Sequence, residues 1–356
     1  MVIRMTFPRS SLVDSGCAGS YHLISRCVRR AFLCGDAAEH RRQWLTDAIC
    51  LQSTAFCVDV LAYAIMANHL HIVVTTQPDR AFALTPLAVA ERWAVLFPLR
   101  DDEGNPLPPA LDYLNARAND AEWIATRRAR LSSVSWYMKL LKERIARRAN
   151  AEDRCTGHFW EGRFTSVPLL DHTAVTSCMA YVDLNPIRAK LADRPETSDF
   201  TSIQARIIDR ENERKVIALS AVPDTAPNIV PTLAAGAASS AAAWLAPLRR
   251  CVPYSEKTAA LCPGPLSLDD YLTLVDETGR LIHSGKRGAI PAHLAPILAR
   301  LDLDFDFDTW LTTMCSPSRF LGGAIGSAAA RAAEAVRRGI KWVVDRTKIH
   351  KPPDAA

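Results

Sequence analysis

Three side chains have the types and spacing to act on a phosphate group: His69 and His71, and, far along the chain, Tyr181. His69-Leu70-His71 opens a β-rich run, HLHIVVTT. Strand side chains alternate between faces, so the two imidazoles share one face with Cα atoms roughly 7 Å apart. Converging imidazoles at that spacing make a bite for one divalent ion, with Leu70 turned the other way into a core. The plain alternative is two unconnected histidines on a solvated strand face. Tyr181 and Asn185 are four residues apart and so lie on one helix face. A phenol oxygen can attack phosphorus, and an Asn oxygen can complete a metal shell. Equally, Tyr181 reads as an amphipathic core residue and Asn185 as a helix end. Pro186 disfavours the α region at Asn185 and puts it in or just beyond the final turn. Tyr63 and Tyr137 are rival nucleophiles, but only Tyr181 has Asn at i+4 and the YxxxNP context.

These residues need elements to hold them. Residues 20–28 (SYHLISRCV) read as a strand, 36–53 as a helix, and 56–66 and 69–76 as an antiparallel hairpin turning at Ala67-Asn68. Residues 84–97 have helical spacing, and the Pro- and Asp-rich stretch 98–119 reads as a loop. Residues 121–150 form a long basic helix broken near Ser132-Ser133. A fourth strand within 157–170 leads into a helix over 171–184, capped by Asp or Thr and ended at Asn185-Pro186. The order strand–helix–strand–strand–helix–strand–helix predicts an α+β sandwich with helices on one antiparallel sheet. We therefore expect a catalytic domain over 1–215 with an insertion at about 98–126 and an Ala/Pro-rich linker over 216–243. A mainly helical C-terminal section of unassigned role follows over 244–356, its last helix at about 327–348.

The net charge of +5 is mild, but its distribution is uneven. Ten basic residues fall between Arg127 and Arg163, against four acids, the footprint expected for a polyanion or, more blandly, a solvated helix face. Arg127, Arg128, Lys139, Lys142, Arg147, Arg148 and Arg163 are the candidate contacts for such a polyanion. Trp136, Tyr137, Phe159 and Trp160 are candidate stacking surfaces, each a rival core residue. The ten cysteines include no C-x-x-C pair and have irregular spacing, so neither a zinc site nor a disulfide framework is expected. No apolar run reaches the roughly 18 residues of a membrane span. Without a signal-peptide pattern as well, the expected setting is the cytoplasm, in association with the nucleoid.

Three ordered segments, AYAIMANHLHIVV, GHFWEGRF and YVDLNPIRAKL, resemble the single-tyrosine HUH transposases, in particular the REP-associated tyrosine transposases related to small bacterial insertion-sequence enzymes. The resemblance covers roughly residues 18–200. It implies a ferredoxin-like α+β nuclease domain with His69, His71 and Asn185 as ligands of Mg²⁺ or Mn²⁺. Tyr181 would be the nucleophile forming a 5′-phosphotyrosine and a free 3′-OH, and Arg163 a phosphate contact. The implied substrate is single-stranded DNA beside hairpins of inverted repeats, nicked and rejoined without ATP, and a homodimer is compatible with it. The alternative is a non-catalytic, domesticated DNA-binding protein of the same fold. A water-using two-metal hydrolase lacks the carboxylates it would need near the histidines.

Overall fold

A computed structural model describes residues 16–220, 244–246, 267–284, 314 and 323–343. Four β-rich segments pair as one antiparallel sheet: β1 (Ser20–Arg26), β2 (Val58–Ile65), β3 (His69–Thr76) and β4 (Thr165–Leu169), in the spatial order β2-β3-β1-β4. The tight hairpin closes with the Met66 N–H donating to the His69 carbonyl at 2.8 Å.

Nine α-helices of eight or more residues lie among the described residues: α1 (His40–Ala55), α2 (Pro86–Leu96), α3 (Leu111–Ala118), α4 (Ala121–Leu131), α5 (Val134–Glu152), α6 (His172–Asp183), α7 (Ser202–Ser220), α8 (Leu268–Ser284) and α9 (Ala328–Arg338). Strand alternation gives the sheet two apolar faces. On one, Leu23, Leu70, Ile72 and Val74 pack against Leu45 and Ile49 of α1 and Tyr137, Met138 and Leu141 of α5. On the other, Ala62, Ala64, Val73 and Val167 pack against Val175, Cys178, Tyr181 and Val182 of α6. The result is an α+β arrangement with helices on both faces of the sheet.

The element order matches the expectation, with two differences. Residues 98–119 are not a bare loop: Leu99–Arg100 pairs with Pro106–Leu107 as a short ribbon, and α3 follows. The last described helix stops at Arg338 because Gly339 takes the left-handed conformation (φ 64°) that ends helices and spares a glycine any Cβ clash; residues 344–348 of the expected helix lie outside the described residues. The expected break at Ser132-Ser133 is present, with Ser133 capping α5. The linker expected over 216–243 begins inside α7, and residues 221–243 lie outside the described residues.

The described parts of the C-terminal section pack onto the sheet domain. Ala246 N–H donates to Val60, Ile325 bridges Leu169 at the β4 edge, and Tyr271, Leu274 and Val275 of α8 share the apolar cluster that holds Tyr181. No described helix is long and apolar enough to cross a membrane.

Candidate active site

Register decides what meets the histidines. In the β1–β3 ladder, Arg26 lies opposite His69, Ile24 opposite His71 and His22 opposite Val73. Directly opposed residues share a face, so His22, Arg26, His69 and His71 all point toward α6. Leu70 is fully buried on the other face, as expected. The His69 and His71 ring centroids are 5.0 Å apart and nearly perpendicular.

The surrounding hydrogen bonds fix the tautomer of His69. Asn68 Nδ2 donates to the Arg30 carbonyl at 3.1 Å, which orients the amide so that Oδ1 faces His69 Nδ1 at 2.6 Å. An amide oxygen only accepts, so Nδ1 carries the proton and Nε2 keeps its lone pair. His71 Nδ1 lies 2.8 Å from His22 Nε2, and the two rings stack at 5.0 Å. When His71 donates in this pair, its Nε2 is also left with a lone pair. His22 is then the outer partner that orients His71, the usual support of a ligating imidazole.

Burial, with Arg26 and Arg188 nearby, lowers the His69 pKa from 6.5 to about 4. Burial, then His22 and His69, pushes His71 well below its ordinary value. Both rings are thus neutral, the form that binds metals. Below pH 6.5 an unfolded chain binds a proton at His69 that the folded chain refuses until about pH 4, so stability rises with pH across that window. Lowering the pH from 7 to about 4.5 is expected to cost about 1–3 kcal/mol from this group, read as a fall in the urea midpoint. His69→Gln should flatten that dependence; an equal fall in both proteins would refute the assignment.

Helix α6 supplies the third element. Asp171 caps it by accepting from the Ala174 N–H at 2.8 Å, and Tyr181 stands nearly three turns later. The Tyr181 ring centroid is 6.0 Å from that of His71 and 6.1 Å from that of His22, edge-on to both. Arg188 places its guanidinium 4.3 Å from the Tyr181 ring centroid. Burial raises the Tyr181 pKa; the Arg188 charge and its hydrogen bond to the hydroxyl pull it back.

Asn185 is committed elsewhere. Its Nδ2 donates to the carbonyls of Tyr181 and Val182, and its Oδ1 accepts from Arg188 at 3.4 Å. It braces the turn between α6 and the short helix Asn185–Arg188. Among the described residues, no group of three or more His, Cys, Asp or Glu side chains is arranged to hold a metal ion. Were a metal held here, the histidine pair would offer it an open two-nitrogen site, not a closed cage.

The rival phenols lie elsewhere. Tyr137 is fully buried in the α1–α5 face, its hydroxyl without a hydrogen-bond partner. Tyr63 belongs to the same far face and stacks on Trp244 at 5.3 Å. Burial raises the pKa of both.

The candidate DNA contacts are scattered. Helix α5, with Lys139, Lys142, Arg147 and Arg148, packs on the sheet face opposite Tyr181. Arg128 donates to the carbonyls of Ala81, Phe82 and Leu84, closing the short helix Pro78–Phe82. Lys142 donates to the Gly162 carbonyl. Arg147 pairs with Glu143 at 2.6 Å, and Arg148 lies 3.8 Å over Trp44. Arg127 lies on the rings of Trp123 and Trp93, while Arg163 is exposed. Phe159 and Trp160 are buried, tied to β1 by Val28 N–H to Phe159 O and a Cys27–Trp160 bridge, and are core residues. On the last helix, Arg337 and Arg338 both pair with buried Glu334.

Sequence reasoning missed His22, Arg26, Arg188 and Asp183. His22 and Arg26 have one parity in β1, a visible signal that only the strand register turns into contact with the histidines. Arg188 lies seven residues after Tyr181, inside a motif already singled out.

No family model and no curated protein matches the chain. Among solved structures it is similar to a REP-associated tyrosine transposase bound to a REP hairpin, with a TM-score of 0.33 and 13% identity over 53% of this chain and 79% of that one.

Proposed function

We propose that this chain is a metal-dependent single-stranded DNA nickase and strand transferase that works through a 5′-phosphotyrosine on Tyr181. The observation that carries this reading is the convergence of one phenol with His71 and His22 on one sheet face, centroids 6.0 and 6.1 Å away, with Arg188 against the phenol. The order β2-β3-β1-β4, with crossover helices α1 and α5 on the far face, supports reading the sheet as ferredoxin-like. All three motifs that resemble the HUH transposases contribute to this layer or to its edge.

The Nε2 lone pairs of His69 and His71 suit one Mg²⁺ or Mn²⁺, which would polarise the scissile phosphate as a Lewis acid. Asn185 could join them only by turning its Oδ1 away from Arg188. His22 orients His71, and Asn68 orients His69. Tyr181 loses its phenolic proton and its oxygen bonds phosphorus; the P–O3′ bond breaks, and the departing 3′ oxygen takes up a proton. Arg188 lowers the cost of the phenolate. The new ester keeps the phosphodiester's energy, so a 3′-OH can reverse the step.

One observation favours the second reading, a DNA-binding protein that no longer cuts: Tyr181 is only 2% exposed. The two are separated by incubating the protein with 3′-labelled single-stranded hairpin DNA, from a library of stems and loops, with Mn²⁺ or Mg²⁺. The proposal expects a labelled protein band that survives SDS and is lost on protease treatment. Salt-sensitive binding without any such band, under either metal, would leave the non-cutting reading.

A further inference from the structure

A group of cations without carboxylate partners among the described residues lies away from the candidate site, where α2, α4 and α5 meet. Trp93, Trp123 and Trp136, one from each helix, form an aromatic ridge. Trp93 sits 6.4 Å from Trp123 and 6.2 Å from Trp136, ring centroid to centroid. Cations lie along it. Arg127 is 4.8 Å from the Trp123 centroid and 5.5 Å from that of Trp93; Arg130 is 4.1 Å from Trp136 and 5.9 Å from Trp93. Lys139 closes on Trp136 at 4.6 Å, and Arg117 on Trp123 at 5.6 Å.

These cations differ from their neighbours in what opposes them. Arg128 serves three carbonyls, and Arg147 has Glu143. Among the described residues, Arg117, Arg127, Arg130 and Lys139 have no carboxylate in ion-pair contact. Asp120, whose charge acts on Arg127, is spent capping α4 through the Trp123 N–H at 2.9 Å. The arginines also repel one another across the ridge. The Arg127 Nε is buried without a hydrogen-bond partner, so this guanidinium is not used up by the protein, and the planar N–H fork of an arginine matches a phosphate. Four cations spread over three helices form a track, not a pocket, which suits a polymer of repeated negative charge with bases able to stack between them.

We propose that this ridge is a second nucleic-acid surface, gripping the phosphodiester backbone of DNA in the helical layer across the sheet from Tyr181. It holds strand or stem away from the scissile phosphate. The choice of DNA rests on the function proposed above, whereas the anion track does not.

The test is made in a Tyr181→Phe protein, so that binding is read without cleavage. Anisotropy of a labelled hairpin oligonucleotide is followed over a salt series, together with tryptophan fluorescence. R130Q/K139Q is expected to weaken binding about tenfold and to reduce the slope of log K against log salt by about 1–2, with the DNA-induced tryptophan quenching largely lost. The charge-conserving R130K/K139R pair should retain most of the affinity and shows whether a loss comes from charge or from misfolding. Affinity within twofold of the parent and an unchanged slope in a folded R130Q/K139Q protein would overturn the proposal. So would a poly-glutamate peptide that competes as well as DNA, because the track would then serve an acidic protein. An inert Tyr181 with intact ridge binding, or the reverse, reports the two proposals separately.

Discussion

Tyr181→Phe is expected to abolish the covalent DNA adduct, to below 1 part in about 10³ of the parent rate, while the protein stays folded and keeps its affinity for DNA. The substitution removes one oxygen and leaves the ring against His22, His71 and Arg188. Losing the hydroxyl's hydrogen bond with Arg188 should cost about 1 kcal/mol of stability, too little to unfold a domain. Tyr137→Phe is the informative control. Its hydroxyl is buried without a partner, so removing it should leave stability unchanged or slightly raised, with adduct formation intact. Tyr63→Phe should likewise keep the adduct, because Tyr63 faces α1 and α5 and not the histidines. All three phenols are pushed toward neutrality by burial; Arg206 opposes that push at Tyr63 by its charge, whereas at Tyr181 Arg188 opposes it by both charge and a hydrogen bond. Adducts that persist in Tyr181→Phe and vanish in either control would assign the chemistry to another phenol.

What was legible in the sequence follows from which physical signals are local. The alternation in HLHIVVTT put His69 and His71 on one face, and the apolar run before it marked the partner strand; both features are present. The helix over 171–184 carried its own cap in Asp171 and its own stop before Pro186, and its limits came out within a residue. Contacts made by pairing register were not legible. Nothing in SYHLISR says that His22 will meet His71, because a shift of the β1–β3 ladder by one residue would turn it toward α5 instead. Charge misled in a related way. The basic run from Arg127 to Arg148 reports the sign of a surface but not the side of the sheet on which it lies, and amphipathic packing put α5 opposite Tyr181. Its aromatic neighbours were equally ambiguous: Tyr137 fills the core, whereas Trp136 is half-buried at its margin under Lys139 and Arg130.

The C-terminal section has a definite contact with the candidate site, and it leads to the largest stability change expected here. Asp183, two residues after Tyr181, is fully buried. One carboxylate oxygen accepts from the Ser202 hydroxyl and from the Ile203 N–H at 3.0 Å; the other accepts from the Tyr271 hydroxyl at 2.6 Å. A single carboxylate thus ties the end of α6 to the start of α7 and to α8. Ser202 carries the tie on to β2 by accepting from the Tyr63 N–H at 2.9 Å, and Arg206 of α7 donates to the Leu61 carbonyl at 2.7 Å. Burial pushes the Asp183 pKa up, and Arg206 with the three donors holds it down. Asp183→Ala removes the acceptor and strands the Ser202 and Tyr271 hydroxyls and the Ile203 N–H in a dry interior. The expected cost is about 3–5 kcal/mol, the range for deleting one member of a buried charged network. Asp183→Asn should cost less, since its oxygen can still accept from Ser202 and Ile203 while its amide donates to the Tyr271 oxygen. Tyr271→Phe should cost about 1 kcal/mol, and a double-mutant cycle with Asp183→Asn should show coupling. Where the C-terminal section positions the nucleophile, Tyr271→Phe also slows adduct formation more than it weakens DNA binding. Additive stabilities and an unaltered adduct rate would mean that α8 merely covers the far side of α6.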